Sequence, residues 1–268
     1  MVLGYRSRNR DNDKPICSKA SPYAHDIAVD VKGNLVVAGG FGQATVYSGR
    51  SACRKKLGAL QVGWSGLAVD AASINAVNGT VAVAALQDGS GPGSIEICTL
   101  SDGCTANLKN DQMNFVIGVA LAKDGTCWAS SQEGPGTGYA VVLTYFKGCT
   151  GSGETARDFQ NLAPGGLDID NYGDLVSVSS SPSSAVYVYS GCRPRCKLIG
   201  GPFPLRGTTT YGHLNMMSTR FVAADSQFSD VDVYKYSPAA MTYLYSFNNG
   251  IAPSSGIMGA AFDPRSKE

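Results

Sequence analysis

The stretch Gly165–Ser180, GGLDIDNYGDLVSVSS, decides the fold because related stretches recur along the chain. Within seven residues it holds five acidic or turn-forming ones: Asp168, Asp170, Asn171, Gly173 and Asp174. Clustered carboxylates could bind calcium, but the glutamate that completes a twelve-residue calcium loop would fall at Ser179. The stretch is therefore interpreted as a hairpin turn, in which Asp and Asn cap the backbone and Gly supplies a positive φ.

Five other stretches align with it: HDIAVDVKGNLVVAGG (25–40), SGLAVDAASINAVNGTVAVAAL (65–86), IGVALAKDGTCWASSQ (117–132), YGHLNMMSTRFVAADS (211–226) and MGAAFDPRSKE (258–268). Their equivalent positions are interpreted as Asp30, Asp70, Ala122, Asp170, Asn215 and Asp263, with spacings of 40, 52, 48, 45 and 48 residues. Units of this length, rich in Val, Ala, Gly and Ser, are typical of the four-stranded blades of a β-propeller.

The repeat predicts an all-β, six-bladed β-propeller that forms a single domain over residues 1–268. Blades 1 to 5 are expected at residues 21–60, 61–112, 113–162, 163–206 and 207–253. Residues 254–268 would supply the inner strand of blade 6, and strands in residues 1–20 would complete that blade. Such closure of the ring protects strand edges that would otherwise be exposed.

Composition and charge indicate the fold class and disfavour some classes of binding partner. The 33 glycines, with only 16% charged residues, favour many tight turns and short strands. The 22 basic and 21 acidic residues give a net charge of +1, which predicts no attraction to nucleic acid or to an anionic membrane. No apolar run reaches the roughly 18 residues that membrane insertion requires. The expected partner is a small molecule, a glycan or a protein.

The eight cysteines indicate disulfides, because zinc-type CxxC pairs are absent and only two histidines are available. Proximity in the predicted blades favours the pairs Cys17–Cys53, Cys98–Cys104, Cys127–Cys149 and Cys192–Cys196. Disulfides require an oxidising compartment, so the protein is expected to be secreted, periplasmic or at the cell surface. The opening MVLGYRSRNRDNDKP has no apolar core, and a signal peptide is expected to have been removed.

The motifs AVDVKGNLVVAGG and RFVAADS resemble the NHL-type repeat. This resemblance implies membership of the NHL-like and gluconolactonase-like six-bladed propellers, which include lactonases, amidating lyases and modules without catalysis. The cysteine- and glycine-rich style is similar to that of secreted bacterial propellers. Because one fold hosts many functions, the resemblance implies a fold more firmly than an activity.

Two partial motifs suggest a metal. AHDIAVD is similar to the strand entry that carries a zinc ligand in amidating lyases, which makes His25 a candidate ligand. Asp225 in VAADS matches a metal-binding aspartate of the gluconolactonase-like group, although the other ligand motifs of both families are missing. The resemblance implies a divalent ion, Ca²⁺ or Zn²⁺, in the central channel.

Propellers bind ligands at the mouth of the central channel, where the loops that lead into the inner strands and the loops that follow the second strands meet. The expected ligand-binding residues are His25, Trp64, Asp88, Glu133, Tyr211 and Asp225. Asp168 and His213 occupy a position that holds alanine in other repeats, and they could form a general-base pair or a buried staple between blades. The sequence therefore predicts a ligand-binding or scaffold module, with a metal-dependent hydrolase of the lactonase type as the alternative.

Overall fold

The computed structural model describes most of the chain, and the statements below concern these residues: 2–4, 17–19, 24–40, 42–51, 53–62, 69–86, 93–132, 140–180, 183–207, 212–248, 251 and 258–263. Within them the regular structure consists of β-strands and two 3₁₀ turns, Gly49–Ser51 and Lys147–Cys149. No helix among these residues is long and apolar enough to cross a membrane.

The strands form five four-stranded antiparallel sheets, each a simple meander in chain order. Blade 1 has β3 (Ala24–Val29), β4 (Leu35–Gly39), β5 (Gln43–Tyr47) and β6 (Lys56–Gln61). Blade 2 has β7 (Val69–Ile74), β8 (Val81–Ala85), β9 (Ser94–Thr99) and β10 (Gly103–Lys109). Blade 3 has β11 (Val116–Leu121), β12 (Cys127–Gln132), β13 (Val141–Phe146) and β14 (Glu154–Thr155).

The remaining strands complete two further blades and one small ribbon. Blade 4 has β15 (Leu167–Ile169), β16 (Leu175–Ser179), β17 (Ala185–Ser190) and β18 (Lys197–Pro204). Blade 5 has β19 (Leu214–Met217), β20 (Arg220–Asp225), β21 (Asp230–Ser237) and β22 (Ala240–Phe247). Near the N-terminus, β1 (Val2–Gly4) pairs only with β2 (Cys17–Lys19).

The all-β propeller is confirmed, but the prediction of six blades is wrong, since the described residues form five four-stranded blades. The N-terminal strands pair with each other instead of completing a sixth sheet. Residues 258–263 form no strand and lie between blades 5 and 1. There Ala260 packs against Val222 and Val233 of blade 5, and Gly259 meets the backbone of Asp26 in blade 1.

The opening stretch forms a turn, as the sequence predicts. The Asp170 carboxylate accepts hydrogen bonds from the backbone N–H groups of Tyr172 and Asp174, both at 2.9 Å. Gly173 has a φ of 85°, which a residue with a side chain rarely adopts. Asp30 caps the same turn of blade 1 by bonds from Lys32 and Asn34.

Two of the proposed repeat equivalences are wrong. In blade 2 the turn begins at Asn75, whose carboxamide oxygen accepts from Val77, whereas Asp70 lies within β7. In blade 5 the turn follows Met217, and Asn215 lies within β19. In blade 2 the extra residues of the long turn were placed too early, before Asn75, and in blade 5 the alignment assumed a five-residue turn where only Ser218 and Thr219 separate the strands.

The hydrophobic core lies between neighbouring blades, and its composition changes around the ring. Blades 1 and 2 meet through small aliphatic side chains such as Val36, Val81 and Val83. Blades 4 and 5 meet through larger ones, including Phe221 and Tyr234, whose stacked rings lie 4.6 Å apart between centroids. The faces of adjacent sheets therefore supply the buried apolar surface that stabilises the ring.

Glycine lets the inner strands approach each other near the axis. A Cβ atom on Gly118 of blade 3 would lie 2.2 Å from the carbonyl oxygen of Gly165 in blade 4. A Cβ atom on Gly166 would lie 2.5 Å from the carbonyl oxygen of Gly212 in blade 5. The backbones of neighbouring inner strands are thus in contact, which is a usual reason for glycine in a strand region.

Three of the expected disulfides are present: Cys98–Cys104, Cys127–Cys149 and Cys192–Cys196. Cys98 and Cys104 are directly opposite each other on β9 and β10. Cys53 is also disulfide-bonded. The side chain of Cys17, its expected partner, is outside the described part of the chain, so that pair stays a prediction.

Replacing Gly118 by alanine is expected to destabilise the protein by about 2 kcal/mol, because the new methyl group would overlap a backbone carbonyl that cannot rotate away. Gly58 is the matched control, since it lies in an outer strand and a Cβ there meets nothing within 4 Å. Urea unfolding of both variants measures the effect. Equal unfolding midpoints for Gly118→Ala and Gly58→Ala would contradict the close contact.

Candidate functional site

A cavity of about 260 Å³ lies on the axis of the propeller. Its walls come from the inner strands of all five blades and from Phe262. It reaches the end of the channel where the hairpin turns of the blades meet, and turn residues Asn75, Lys123, Asn171 and Ser218 line this end. The sequence prediction had instead placed the ligand at the mouth formed by the loops that precede the inner strands.

Asp168 of β15 is one of two aspartates in the wall of this cavity, the other being Asp170. One of its oxygens accepts a 2.6 Å hydrogen bond from the backbone N–H of Met216, and the other accepts from Ile169 at 2.8 Å. Burial is the main cause that raises the pKa of Asp168 to about 7; the carboxylates of Asp26 and Asp170 add to the rise, and the two backbone hydrogen bonds oppose it. Asp168 is therefore poised between its neutral and charged forms near neutral pH.

Asp26 is the carboxylate that meets His213. The distance from His213 Nδ1 to Asp26 Oδ2 is 3.7 Å, and both side chains are buried. The same Asp26 oxygen accepts a hydrogen bond from the backbone N–H of Ala72. The expected contact between Asp168 and His213 is replaced by this one, because Asp168 turns to the backbone of Met216 instead.

Polar side chains of the inner strands fasten one blade to the next. Asp26 accepts from Ala72 of blade 2, Ser73 from Leu121 of blade 3, Asp168 from Met216 of blade 5, and Asn215 from Phe262. In each case a side-chain oxygen binds the backbone N–H of the following element. Asp168 thus has a structural partner as well as a place in the cavity wall.

The other predicted site residues are dispersed or not described. Asp225 ends β20, one strand away from the channel, and its neighbours are Asp230 and Asp232 of the same blade. His25 is half-buried in β3, and no group of three potential metal ligands among the described residues includes it. Four predicted residues fall outside the described ranges: Trp64, Asp88, Glu133 and Tyr211.

Several residues of the site were missed by sequence reasoning. Ser73 binds Leu121 of the next blade, Asn215 binds Phe262, and Phe262 lines the cavity, although none of the three was predicted as a site residue. The sequence does contain a signal for Ser73: it is a polar residue near the end of its inner strand, at the position that Ala28 and Ala120 occupy in blades 1 and 3. Arg206, Asp230 and Asp232 had no repeat partner that could mark them.

Comparison with known proteins identifies the fold. No family model and no curated protein sequence matches the chain. A structural genomics protein of unknown function from Bacteroides thetaiotaomicron aligns with a TM-score of 0.64 and 11% identity, covering 98% of this chain and 70% of that one. The RRP9 WD40 repeats align with a TM-score of 0.64 and 13% identity, covering 93% and 86%. U3-55K gives 0.63 and 12%, covering 93% and 88%.

These structural neighbours are β-propellers, so the chain has a propeller fold. At identities of 11–13% the similarity extends to the fold alone.

Replacing Asp168 by asparagine is expected to remove a pH dependence of stability. The folded protein holds the Asp168 proton up to about pH 7, whereas the unfolded chain releases it near 3.8. Ionisation therefore destabilises the wild type as the pH rises through this interval, by at most about 4 kcal/mol. Relative to the wild type, Asp168→Asn should gain stability between about pH 4 and pH 8, because Asn has no proton to lose.

Urea unfolding at several pH values measures this difference, with Asp111→Asn, in an exposed turn, as the control. A stability difference between Asp168→Asn and the wild type that does not change with pH would contradict the raised pKa.

Proposed function

We propose that the protein is a ligand-binding module that takes a small molecule into its central channel from the end where the hairpin turns meet. The observation that carries the proposal is the axial cavity with a carboxylate in its wall. Its volume of about 260 Å³ is slightly below the roughly 300–1,000 Å³ of typical small-molecule pockets, which suits a ligand of few atoms.

The two carboxylates of the wall, Asp168 and Asp170, outnumber its one described cationic side chain, Lys123, and so favour a cationic ligand. Asp168 and Asp170 line the cavity, and Asp26 lies near enough to raise the pKa of Asp168. An ammonium group beside Asp168 would favour its ionised form and would recover the free energy lost by burying that charge. The carboxamide of Asn171 at the open end could bind a hydroxyl group of the same ligand.

We also propose a second binding surface at the opposite mouth of the channel. His25, Trp64, Asp88, Glu133 and Tyr211 would there bind a protein or a glycan, in keeping with a scaffold role, whereas the buried Asp225 is left out of this surface. The NHL-like resemblance of AVDVKGNLVVAGG and RFVAADS is the reason to propose membership of that group. Three disulfides support the further proposal that the protein is secreted.

A hydrolase is the alternative function, and one observation favours it. A carboxyl group with a pKa of about 7 is suited to general acid–base catalysis at neutral pH, and such groups are common in active sites. Under this alternative Asp168 would exchange a proton with a lactone substrate in the cavity. Hydrolysis of simple lactones that is lost in Asp168→Asn would favour the enzyme over the binding module.

The binding proposal is tested by calorimetry with cadaverine and with the neutral diol of the same chain length. We expect cadaverine to bind the wild type and the diol to bind at least about 10-fold more weakly, since a charge-assisted hydrogen bond is worth roughly 1.5–3 kcal/mol. Cadaverine should bind more tightly at about pH 8 than at about pH 5, because Asp168 must ionise.

Asp168→Asn should lose the preference for cadaverine, whereas the surface control Asp111→Asn should keep it. Equal binding of the amine and the diol, or unchanged cadaverine binding in Asp168→Asn, would overturn the proposed role of this carboxylate.

A further inference from the structure

Three buried aspartates meet in blade 5, away from the channel. Asp225 ends β20 and is paired in register with Asp230, which begins β21. Asp232 follows two residues later, so it lies on the same face of the sheet as Asp230. One oxygen of each carboxylate lies within 4.8 Å of one from each of the others. Their exposed fractions are 2%, 3% and 2% for Asp225, Asp230 and Asp232.

Arg206 balances only part of this charge. Its Nη2 lies 2.7 Å from Asp230 Oδ2, and its Nη1 lies 3.7 Å from Asp232 Oδ1. One guanidinium therefore faces three carboxylates. Burial raises the pKa of Asp225 and of Asp230, and the carboxylate of Asp232 raises both further. Such an excess of buried negative charge has to be relieved by a proton or by a second cation.

The hydrogen bonds leave two particular oxygens for that cation. Each oxygen of Asp232 already accepts a hydrogen bond, one from Ser246 Oγ at 2.6 Å and the other from the Tyr234 hydroxyl at 3.0 Å. Asp225 Oδ1 accepts from the backbone N–H groups of Gln227 and Phe228. Asp225 Oδ2 and Asp230 Oδ1, however, are buried and have no hydrogen-bond partner in the described part of the chain.

Unpartnered buried acceptors are rare, because each costs roughly 1–3 kcal/mol of desolvation that no bond offsets. Two of them in one carboxylate cluster point to a ligand. Gly207 keeps this space free, since a Cβ there would lie 2.1 Å from Asp225 Oδ2. A side chain at residue 207 would therefore block the oxygen that the cluster presents.

We propose that Asp225 Oδ2 and Asp230 Oδ1, supported by Asp232, bind a calcium ion. The donor set is made only of carboxylate oxygens, which hard cations prefer, and it contains no nitrogen or sulfur ligand of the kind that zinc favours. Calcium accepts six to eight oxygens in irregular geometry, so backbone carbonyls and water can complete its shell, whereas magnesium demands a near-ideal octahedron. The ion would join the hairpin of blade 5 to the segment around Arg206 that leads from blade 4.

The test uses the full chain, stripped of metal with a chelator and then titrated with calcium while its thermal unfolding is followed. We expect a dissociation constant on the order of 10⁻⁵ to 10⁻³ M and a rise in Tm of roughly 5 °C at about 100 times Kd. Magnesium should produce a smaller shift. Asp225→Asn and Asp230→Asn should lose the calcium response, and Asp111→Asn, an exposed aspartate in a turn, should keep it.

A second measurement separates a metal site from a purely structural ion cluster. Without calcium, Asp225→Asn and Asp230→Asn should unfold at the same temperature as the wild type or higher, because each removes one excess negative charge. Terbium, used as a luminescent calcium substitute, should be sensitised by Tyr234, whose hydroxyl is bonded to Asp232. Luminescence should fall when calcium is added.

The proposal is overturned if calcium up to about 10 mM, well above the upper end of the expected range, leaves the Tm of the wild type unchanged. A calcium response that persists in both asparagine variants overturns it as well, because the ion would then bind elsewhere. If either variant fails to fold, terbium binding and its displacement by calcium are measured in the wild type and in Gly207→Ser instead. Equal terbium binding by these two proteins would overturn the proposal.

Discussion

Contact between neighbouring inner strands, made without a shared β-ladder, is the constraint on which this propeller depends. Each sheet is complete in itself, so the ring has to be held by other means near its axis. Glycines such as Gly118 let the backbones touch, and side-chain oxygens such as those of Asp26 and Asp168 accept from the backbone of the next blade. The apolar faces of the sheets then pack outside this polar ring.

The same constraint produces the candidate site. A polar oxygen that binds a neighbouring blade must lie close to the axis, where the cavity is, and so Asp168 serves both the ring and the cavity wall. Its burial beside other carboxylates gives it a pKa near neutrality. A residue placed for packing thereby acquires a property that ligand binding or acid–base chemistry can use.

Features that depend on residues close in sequence, such as turns and strands, could be predicted. Features that depend on contacts between segments distant in sequence could not. The turn at Asp170 and the pair Cys98–Cys104 could be predicted because the residues involved are close in sequence. The blade number could not, because MGAAFDPRSKE has the pattern of an inner strand, and only packing reveals that residues 258–263 lie beside blades 5 and 1 without forming one.

The candidate site was less predictable than the fold. The partner of His213 proved to be Asp26 of blade 1, a contact across the ring that no repeat position indicates. Of the cluster in blade 5 the sequence indicated only Asp225, for a related reason. Arg206 comes from the segment between blades, and Asp230 and Asp232 are simply polar positions of an outer strand until the hairpin brings them together.

The positions of the disulfides have a mechanical consequence. The three between described side chains close short loops, with sequence separations of 6, 22 and 4 residues, and each joins strands or turns of a single blade. Short loops restrict the unfolded chain least. These three cross-links therefore stabilise individual blades, whereas they do not connect one blade to another. At the joint beside residues 258–263 the described contacts are side-chain packing and single hydrogen bonds, so in this part of the ring cohesion rests on interactions that can be broken and remade without any change in redox state.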